Sequence, residues 1–273
     1  MFQQAAPKST IGSLISLSEL IYHAIVRNVR KSHSSALMSI LMNMLQAVIF
    51  VGIFYIMFSV LGLRGAALRG DFMIYVMSGI FLFMTHTKTM GAIVSSDGPS
   101  SPMMKHAPMN TVITISAAAL STLYIQVLSL FTMLFIYHVV ITPVEIDQPV
   151  GAFAMLLLSW FTGIGVGVIF LAIKPWFPSF VSIASTIYQR ANMIASGKMF
   201  VANVMPGYLL AMFDWNPLFH CIDQARGFAF INYTPRNSSY EYAFWVGIVL
   251  LMLGLMGEFY TRRHASLSWG ARQ

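Results

Sequence analysis

Residues 195–230 decide the fold of this chain and read ASGKMFVANVMPGYLLAMFDWNPLFHCIDQARGFAF. The stretch is apolar enough to enter a membrane, but five helix-breaking residues interrupt it: Gly197, Pro206, Gly207, Pro217 and Gly227. A proline inside a helix costs about 3 kcal/mol, so no straight helix is expected to run through. We expect a span that reaches the far side, turns, and dips partly back as one or two short helices. Broken backbone at membrane depth is tolerated only where protein buries it or it lines a wet cavity, so functional residues are expected here.

The whole chain has the composition of a membrane protein. Of its 273 residues, 57% are hydrophobic and 9% are charged, whereas a soluble domain has about 25% charged residues. The mean hydropathy is +0.72. We interpret the net charge of +7 as basic residues held on the cytoplasmic side, because no clustered basic and aromatic surface suggests binding of nucleic acid. We therefore expect an all-α polytopic membrane protein with one domain, residues 1–273.

Apolar stretches predict six transmembrane helices, since a span needs roughly 20 such residues. They are expected at residues 36–61, 72–94, 111–140, 150–173, 180–200 and 242–260. The first apolar run is too long for a signal peptide and is expected to stay as a span. Residues 205–230 are expected to form re-entrant helices on the periplasmic side, between spans five and six. Three glycines in the fourth span, at every second position from Gly163 to Gly167, predict close approach of a neighbouring helix.

Residues 11–31 precede the first span and carry apolar residues at helical spacing. The segment ends in Arg27, Arg30 and Lys31, which is typical of an amphipathic helix lying in the cytoplasmic interface. An ordinary amphipathic helix packed on a partner is the alternative.

The distribution of basic residues predicts the orientation. Bases dominate the segments placed inside: Lys8, Arg27, Arg30, Lys31, Lys105, Lys174, Arg262, Arg263 and Arg272. The outer segments hold fewer: Arg64, Arg69, Arg226 and Arg236. Both termini are therefore expected in the cytoplasm. Residues 95–110 then form a cytoplasmic loop, and residues 174–179 a tight cytoplasmic turn.

Several kinds of chemistry have no motif in this sequence. Gly197-Lys198 is followed by Met199, so the chain has no P-loop and is not expected to bind ATP itself. It also lacks HExxH and GxSxG. Cys221 is the only cysteine, which excludes an intramolecular disulfide and CxxC metal spacing. We expect no catalytic residue, no metal site and no cofactor in this chain.

Three basic residues fall within predicted spans. Arg190 is near mid-membrane, Lys198 follows eight residues later on a similar side of the helix, and Lys88 lies in the second span. A charge at that depth is costly, so Arg190 must face the bundle, a cavity or a partner. One interpretation is a path for an anionic substrate. The alternative is that both lysines extend towards the interfaces while Arg190 binds backbone carbonyls.

Aromatic and polar residues near the broken stretch allow two interpretations. Tyr188, Phe200, Phe213 and Trp215 could line a path for a glycan, because sugars stack on aromatic faces, although tryptophans near interfaces are more often membrane-belt residues. His220, Asp223 and Arg226 follow one another at intervals of three. A local salt bridge is the simplest interpretation of that spacing.

The order of these residues resembles a known family. It is similar to the membrane subunit of type-2 ABC exporters, most closely the permeases that export group 2 capsular polysaccharides. The resembling stretches are Ser196-Gly197, Pro206, Asn216-Pro217-Leu218-x-His220 with Arg226, GVIFLAIKPWFPSF at 167–180, GAIVSSDG at 91–98 and PMNT at 108–111. These stretches lie within residues 91–226, and the resemblance as a whole covers about residues 11–262.

The resemblance implies a mechanism and partners. Two copies of the chain and two separate ATPase subunits, which would hold ATP and Mg, would form an exporter in the bacterial inner membrane. A periplasmic co-polymerase and an outer-membrane channel would receive the lipid-linked, anionic polysaccharide. The ATPase would contact the coupling loop through Asp97, Met103, Met104, Lys105 and His106. The outer gate would include Pro206, Asn216, Pro217, His220 and Arg226. The substrate path would include Lys88, Tyr188, Arg190, Lys198, Phe200 and Trp215.

Other functions remain open on the sequence alone. The exported substrate could be O-antigen, teichoic acid, another lipid or a drug. An enzyme acting on lipid-linked sugars would need convergent reactive groups, and only His86, His138, His220 and Asp223 could serve. A structural membrane subunit without a transport path is a third class.

Overall fold

A computed structural model describes residues 10–31, 36–60, 71–98 and 110–264. These residues contain nine α-helices and no strand. The helices are α1 (Thr10–Lys31), α2 (Ala36–Val60), α3 (Phe72–Val94), α4 (Thr111–Val140), α5 (Pro149–Ile173), α6 (Pro178–Ala195), α7 (Gly207–Phe213), α8 (Pro217–Ala229) and α9 (Tyr240–His264). A single 3₁₀ turn, Ala202–Val204, lies between α6 and α7. The predicted all-α class is confirmed.

Four helices are long and apolar enough to cross a membrane. They are α4, α5, α9 and the Ile40–Met57 part of α2. Length and composition therefore make the chain a membrane protein. The other two predicted spans correspond to α3 and α6, and each contains basic or other polar residues that reduce its hydropathy.

Helix α3 occupies the centre of the bundle. It packs against α2, α4, α5 and α8, and most of its side chains are buried, including the polar Thr85, His86 and Thr89. Its first half forms the main hydrophobic core with α5 and α8. Because protein surrounds α3, these polar groups face the protein instead of lipid. Thr85 and His86 form hydrogen bonds there, whereas the Thr89 hydroxyl has no partner among the described residues.

The predicted close approach along α5 is confirmed, and it involves two different neighbours. A Cβ atom at Gly163 would lie 2.7 Å from the backbone oxygen of His86 in α3, and one at Gly167 would lie 3.0 Å from Ile93. A Cβ at Gly165 would instead meet Leu250 of α9 at 2.9 Å. Alternate glycines point to opposite sides of α5, so α3 and α9 both pack closely against it.

Helix α1 matches the predicted amphipathic helix and packs on the start of α4. Ala24 is buried against Ile113 and Ala117, with Leu20, Ile21 and Ile25 beside them. Leu17, which the spacing placed on the same side, is 41% exposed. The apolar stripe of α1 therefore serves at least in part as a packing surface within this chain.

The predicted turn between the fourth and fifth spans is confirmed, since α5 ends at Ile173 and α6 begins at Pro178. Lys174 Nζ donates to the carbonyl oxygen of Val94 at the end of α3, at 2.9 Å. Trp176 Nε1 donates to Thr261 Oγ1 of α9, also at 2.9 Å. These bonds connect the turn to two neighbouring helices.

We call this end of the bundle the inner end, following the predicted orientation. The outer end is the one that bears Asp71 and residues 141–148 and 230–239.

Candidate functional site at the break after α6

The backbone breaks immediately after α6. The predicted fifth span reached residue 200, but the helix ends at Ala195, and Gly197 takes a left-handed φ of +68°. A Cβ on Gly197 would lie 2.5 Å from the ring of Phe219. Residue 197 must be glycine for two reasons: other residues rarely adopt this backbone angle, and the Phe219 ring leaves no space for a Cβ atom. At 1.5 Å per residue the 18 residues of α6 extend about 27 Å, slightly less than the hydrocarbon core of a bilayer.

Arg226 of α8 holds the broken segment together. Its guanidinium is 1% exposed and donates to three carbonyl oxygens: Nη1 to Gly197 at 3.0 Å and Phe200 at 2.5 Å, and Nη2 to Lys198 at 2.6 Å. It also lies 4.2 Å from the ring centroid of Tyr75 in α3. These three carbonyls belong to the irregular residues that follow α6, where no helix supplies a backbone donor, and here a charged donor from another helix binds them.

The position of Arg226 depends on a glycine of α3. A Cβ atom at Gly79 would lie 2.9 Å from Lys198 Cβ and 3.0 Å from both Arg226 Nη2 and the Lys198 carbonyl oxygen. Sequence reasoning missed Gly79 and Tyr75 as parts of this site. A lone glycine inside an apolar helix is a signal of close backbone approach, but the sequence does not identify what approaches.

Lys198 turns into the protein, away from Arg190. The expectation that both lie on a similar side is wrong, because the helix ends at Ala195 before Lys198. Lys198 is 4% exposed, and its Nζ has no hydrogen-bond acceptor in the part of the chain that the structure describes. The ammonium lies over the ring of Phe83 at 3.4 Å, with Phe54 at 5.2 Å and Phe50 at 5.6 Å from the ring centroids. Three aromatic faces of α2 and α3 therefore surround this cation.

Asn216 links the start of α8 to the end of α6. Its side-chain oxygen caps α8 by accepting from Leu218 N at 3.1 Å. Its amide nitrogen donates to Asn192 Oδ1 and to the Ala195 carbonyl oxygen, both at 2.9 Å. Pro217 occupies the first turn of α8, where a missing N–H costs nothing. The Asn-Pro pair therefore starts one helix and caps the other.

His220 and Asp223 fix the chain that follows α8. His220 Nδ1 accepts from Ser239 N at 3.0 Å, so Nε2 carries the proton and donates to the Asp214 carbonyl oxygen at 2.6 Å. Asp223 accepts from the hydroxyls of Tyr233 and Ser238. Burial and the nearby Asp223 charge raise the pKa of Tyr233, so its hydroxyl keeps the proton it donates. The predicted salt bridge of Asp223 with Arg226 or His220 is not formed.

Arg190 lies on the exposed side of α6. It is exposed and forms no hydrogen bond or ion pair with another described residue. Tyr188 instead turns inward and its hydroxyl lies 2.9 Å from His86 Nε2. Phe200 and Trp215 are 46% and 64% exposed. The structure therefore leaves three members of the predicted path on the surface.

Lys88 and the predicted coupling residues lie elsewhere. Lys88 Nζ donates to Asn43 Oδ1 of α2, and Asn43 Nδ2 donates to Ser129 Oγ of α4 at 2.8 Å. At the inner end, the Asp97 carbonyl oxygen accepts from Thr114 Oγ1 at 3.1 Å. The remaining coupling residues lie outside the described residues: Met103, Met104, Lys105 and His106.

No group of three histidine, cysteine or carboxylate side chains in the described part of the chain is arranged to hold a metal ion. Asn216, His220, Asp223 and Arg226 bind backbone groups or other side chains, which is typical of a site that fixes the shape of the chain. Ser196 Oγ and Lys198 Nζ have no hydrogen-bond partner among the described residues. Comparison of the sequence with protein-family models and with curated proteins finds no match in either.

Proposed function

We propose that the chain is the membrane subunit of an ATP-driven exporter that moves a lipid-linked, anionic polysaccharide of the capsular class across the bacterial inner membrane. In this proposal α2, α3, α4, α5, α6 and α9 cross the membrane, α1 lies at the cytoplasmic interface, and α7 and α8 form the re-entrant pair at the outer end. Both termini are cytoplasmic. Two copies of the chain act with two separate ATPase subunits, and a periplasmic co-polymerase and an outer-membrane channel receive the polymer.

One observation carries the proposal. Helix α6 is short and ends in a glycine break whose carbonyl oxygens bind Arg226. Arg190 lies on the exposed side of α6 and forms no hydrogen bond or ion pair with another described residue. A helix that stops near the far side of a membrane, with Asn216 capping its end and Arg226 binding the residues that follow, provides a rigid edge. Broken backbone at membrane depth is tolerated where protein buries it or it lines a wet cavity. His220, the third polar residue of the resemblance, instead binds the segment after α8.

The exposed face of α6 supports a path between two copies of the chain. An arginine exposed to hydrocarbon is costly, so Arg190 is expected to face water, substrate or a second copy. Phe200 and Trp215 are also exposed near the break and provide aromatic faces on which sugar rings stack. A positive charge followed by aromatic surfaces suits an anionic glycan.

The contacts of the candidate reactive groups favour transport over catalysis. His86 binds the Ser159 carbonyl oxygen and Tyr188 within the bundle. His138 accepts from Val144 N at the outer end of α4. His220 and Asp223 bind the segment after α8. These four groups are thus engaged at different places, whereas an enzyme needs its acid, base or nucleophile to converge on one reacting atom.

The experiment that tests the proposal uses the full chain expressed with its candidate ATPase. Polymer export and ATP hydrolysis are measured for the wild type and for Met104→Glu with Lys105→Glu in the coupling loop. Arg236→Glu serves as a control. Arg236 is exposed at the outer end, and its substitution also makes the chain more negative.

We expect the ATPase to co-purify with the wild type and with Arg236→Glu, and to be lost or uncoupled in the double variant. Export should fall only in the double variant. If no ATPase co-purifies and export proceeds in cells that lack this chain, the proposal is wrong.

A further inference from the structure

An apolar groove opens on the side of the bundle between α4 and α5. Its floor is buried and consists of α3 and α8, including Met77, Phe81 and Ala225. The rim is more exposed, and Phe131 of α4 faces Phe153 of α5 across it with ring centroids 6.1 Å apart. The enclosed part has a volume of about 160 Å³.

The groove is suited to hydrocarbon. Of the described side chains that line it, only Ser78 has a polar group, and its hydroxyl already donates to the Tyr75 carbonyl oxygen at 2.9 Å. A cavity of about 150 Å³ lined by such residues holds a molecule of the size of benzene, so the enclosed part accommodates a segment of an acyl chain. In a membrane the open side allows the rest of the chain to enter laterally.

A larger chamber of about 530 Å³ adjoins the groove at the outer end. The two share Ile74, Ile146 and Ala229 as lining residues, so they lie side by side. Three carboxylates line the chamber and no described basic side chain does: Asp71, Glu145 and Asp147. Asp71 is already bonded by the Tyr137 hydroxyl at 2.7 Å, whereas Glu145 and Asp147 are exposed.

We propose that the groove and chamber form one site for a phospholipid with an ammonium headgroup, of the phosphatidylethanolamine class. One acyl chain lies in the groove, and the ammonium lies beside Glu145 and Asp147. Charge complementarity selects this headgroup over an anionic one. The site goes beyond the proposed function, because it lies between α4 and α5, while Arg190 is on α6. It holds a lipid whichever substrate the chain moves.

The test measures which lipids the protein retains. The full chain is placed in nanodiscs that contain equal amounts of phosphatidylethanolamine and phosphatidylglycerol with identical acyl chains. The protein is then released from the nanodiscs in the mass spectrometer, and native mass spectrometry counts the lipids that stay bound to it. We expect the wild type to retain phosphatidylethanolamine in preference to phosphatidylglycerol by about fivefold, because two partly solvated carboxylates give a modest selection.

Two pairs of variants separate the groove from the chamber. Ala152→Phe places a ring in the groove, and Ala154→Phe is its control because Ala154 is exposed and does not line the groove. Glu145→Gln with Asp147→Asn neutralises the chamber, and Glu241→Gln is its control because that exposed carboxylate of α9 does not line it. Thermal unfolding of every variant is followed, so that loss of lipid is compared only among folded proteins.

We expect Ala152→Phe to lose about tenfold or more of the retained lipid, because a filled groove excludes the chain. The neutralised chamber should keep the lipid but show no headgroup preference. Both controls should match the wild type.

Three results would overturn the inference. The first is equal retention of the two lipids by the wild type, and the second is unchanged retention by Ala152→Phe. The third is that the mass lost from Ala152→Phe belongs to a lipid-linked glycan, in which case the groove holds the substrate. None of these results depends on an ATPase, so failure here leaves the exporter proposal standing.

Discussion

Helices α3 and α6 have similar polar content and opposite surroundings. In α3 the polar run from Thr85 to Thr89 is buried or nearly so, and His86 contacts both α5 and α6. In α6 the polar residues Thr186 and Arg190 are exposed. Reduced hydropathy in a helix therefore has two different causes. In α3 it reflects polar side chains buried in the bundle, and in α6 it reflects polar side chains on an exposed face.

The largest expected effect is at Arg226, where α3 and the end of α6 meet. Arg226→Met removes three hydrogen bonds and leaves the Lys198 and Phe200 carbonyls without a donor among the described residues, while the Gly197 carbonyl keeps its bond from Phe200 N. We therefore expect the free energy of unfolding to fall by about 3–5 kcal/mol. Chemical denaturation of the purified chain measures this. Arg236→Met is the control, because Arg236 is exposed and should change stability by about 0.5 kcal/mol or less. Equal stability of the two variants would mean that the hydrogen bonds of Arg226 to residues 197–200 do not stabilise the fold.

Packing between α3 and α5 should give the next largest effect. Gly163→Ala places a methyl group 2.7 Å from the His86 carbonyl oxygen, and that backbone atom cannot rotate away. We expect a loss of about 1–3 kcal/mol, the usual cost of overpacking. Gly52→Ala in α2 is the matched control, because nothing lies within 4 Å of its Cβ position, and it should gain about 0.5–1 kcal/mol. If both substitutions stabilise, α3 is not packed as closely as described.

Lys88 is partly buried and Lys198 is buried, and the two provide a second comparison. Lys88 has an acceptor in Asn43, whereas among the described residues the ammonium of Lys198 has aromatic rings around it and no acceptor. We expect Lys88→Met to reduce stability by about 1–3 kcal/mol, because it leaves the buried Asn43 Oδ1 with only the bond from Gln126 Nε2, at 3.5 Å. Lys198→Met should be neutral or stabilising by about 1 kcal/mol, because an apolar side chain of similar length suits the aromatic site. Thermal unfolding of both variants measures the difference. A destabilised Lys198→Met would show that this cation has an acceptor.

Arg190 should give the smallest effect on stability and a clear effect on function. Arg190→Gln on the exposed face of α6 is expected to change the free energy of unfolding by about 0.5 kcal/mol or less. Under the exporter proposal it should reduce polymer export by about fivefold or more, because the lost charge attracts the anionic substrate. Thr186→Ala, one turn away on the same face, is the control for both measurements. A large loss of stability in Arg190→Gln would mean that α6 is packed in the same way as α3.

Much of the local structure could be predicted from the sequence. The bounds of α1 and α3, the turn between α5 and α6, and the interruption between Ser196 and Pro206 follow from hydrophobic spacing and from the positions of glycine and proline. The partners of the polar residues could not be predicted. Asp223 and Arg226 are three residues apart, yet each binds a different distant segment. Spacing along a helix identifies neighbours only where no long-range partner competes.

The sequence by itself determined that this is a helical membrane protein and that glycine and proline interrupt its backbone between Gly197 and Pro206, although the fifth span was expected to continue to residue 200 and its helix ends at Ala195. Those properties depend on composition and on backbone chemistry, which act locally. Only the tertiary structure decided that Lys198 faces inward, that Arg190 faces outward, and that Gly79 allows Arg226 to reach the broken end of α6. The direction of a side chain after a break depends on the backbone angle of a single residue, Gly197, and on the helices packed against it. Neither can be obtained from the order of the residues alone.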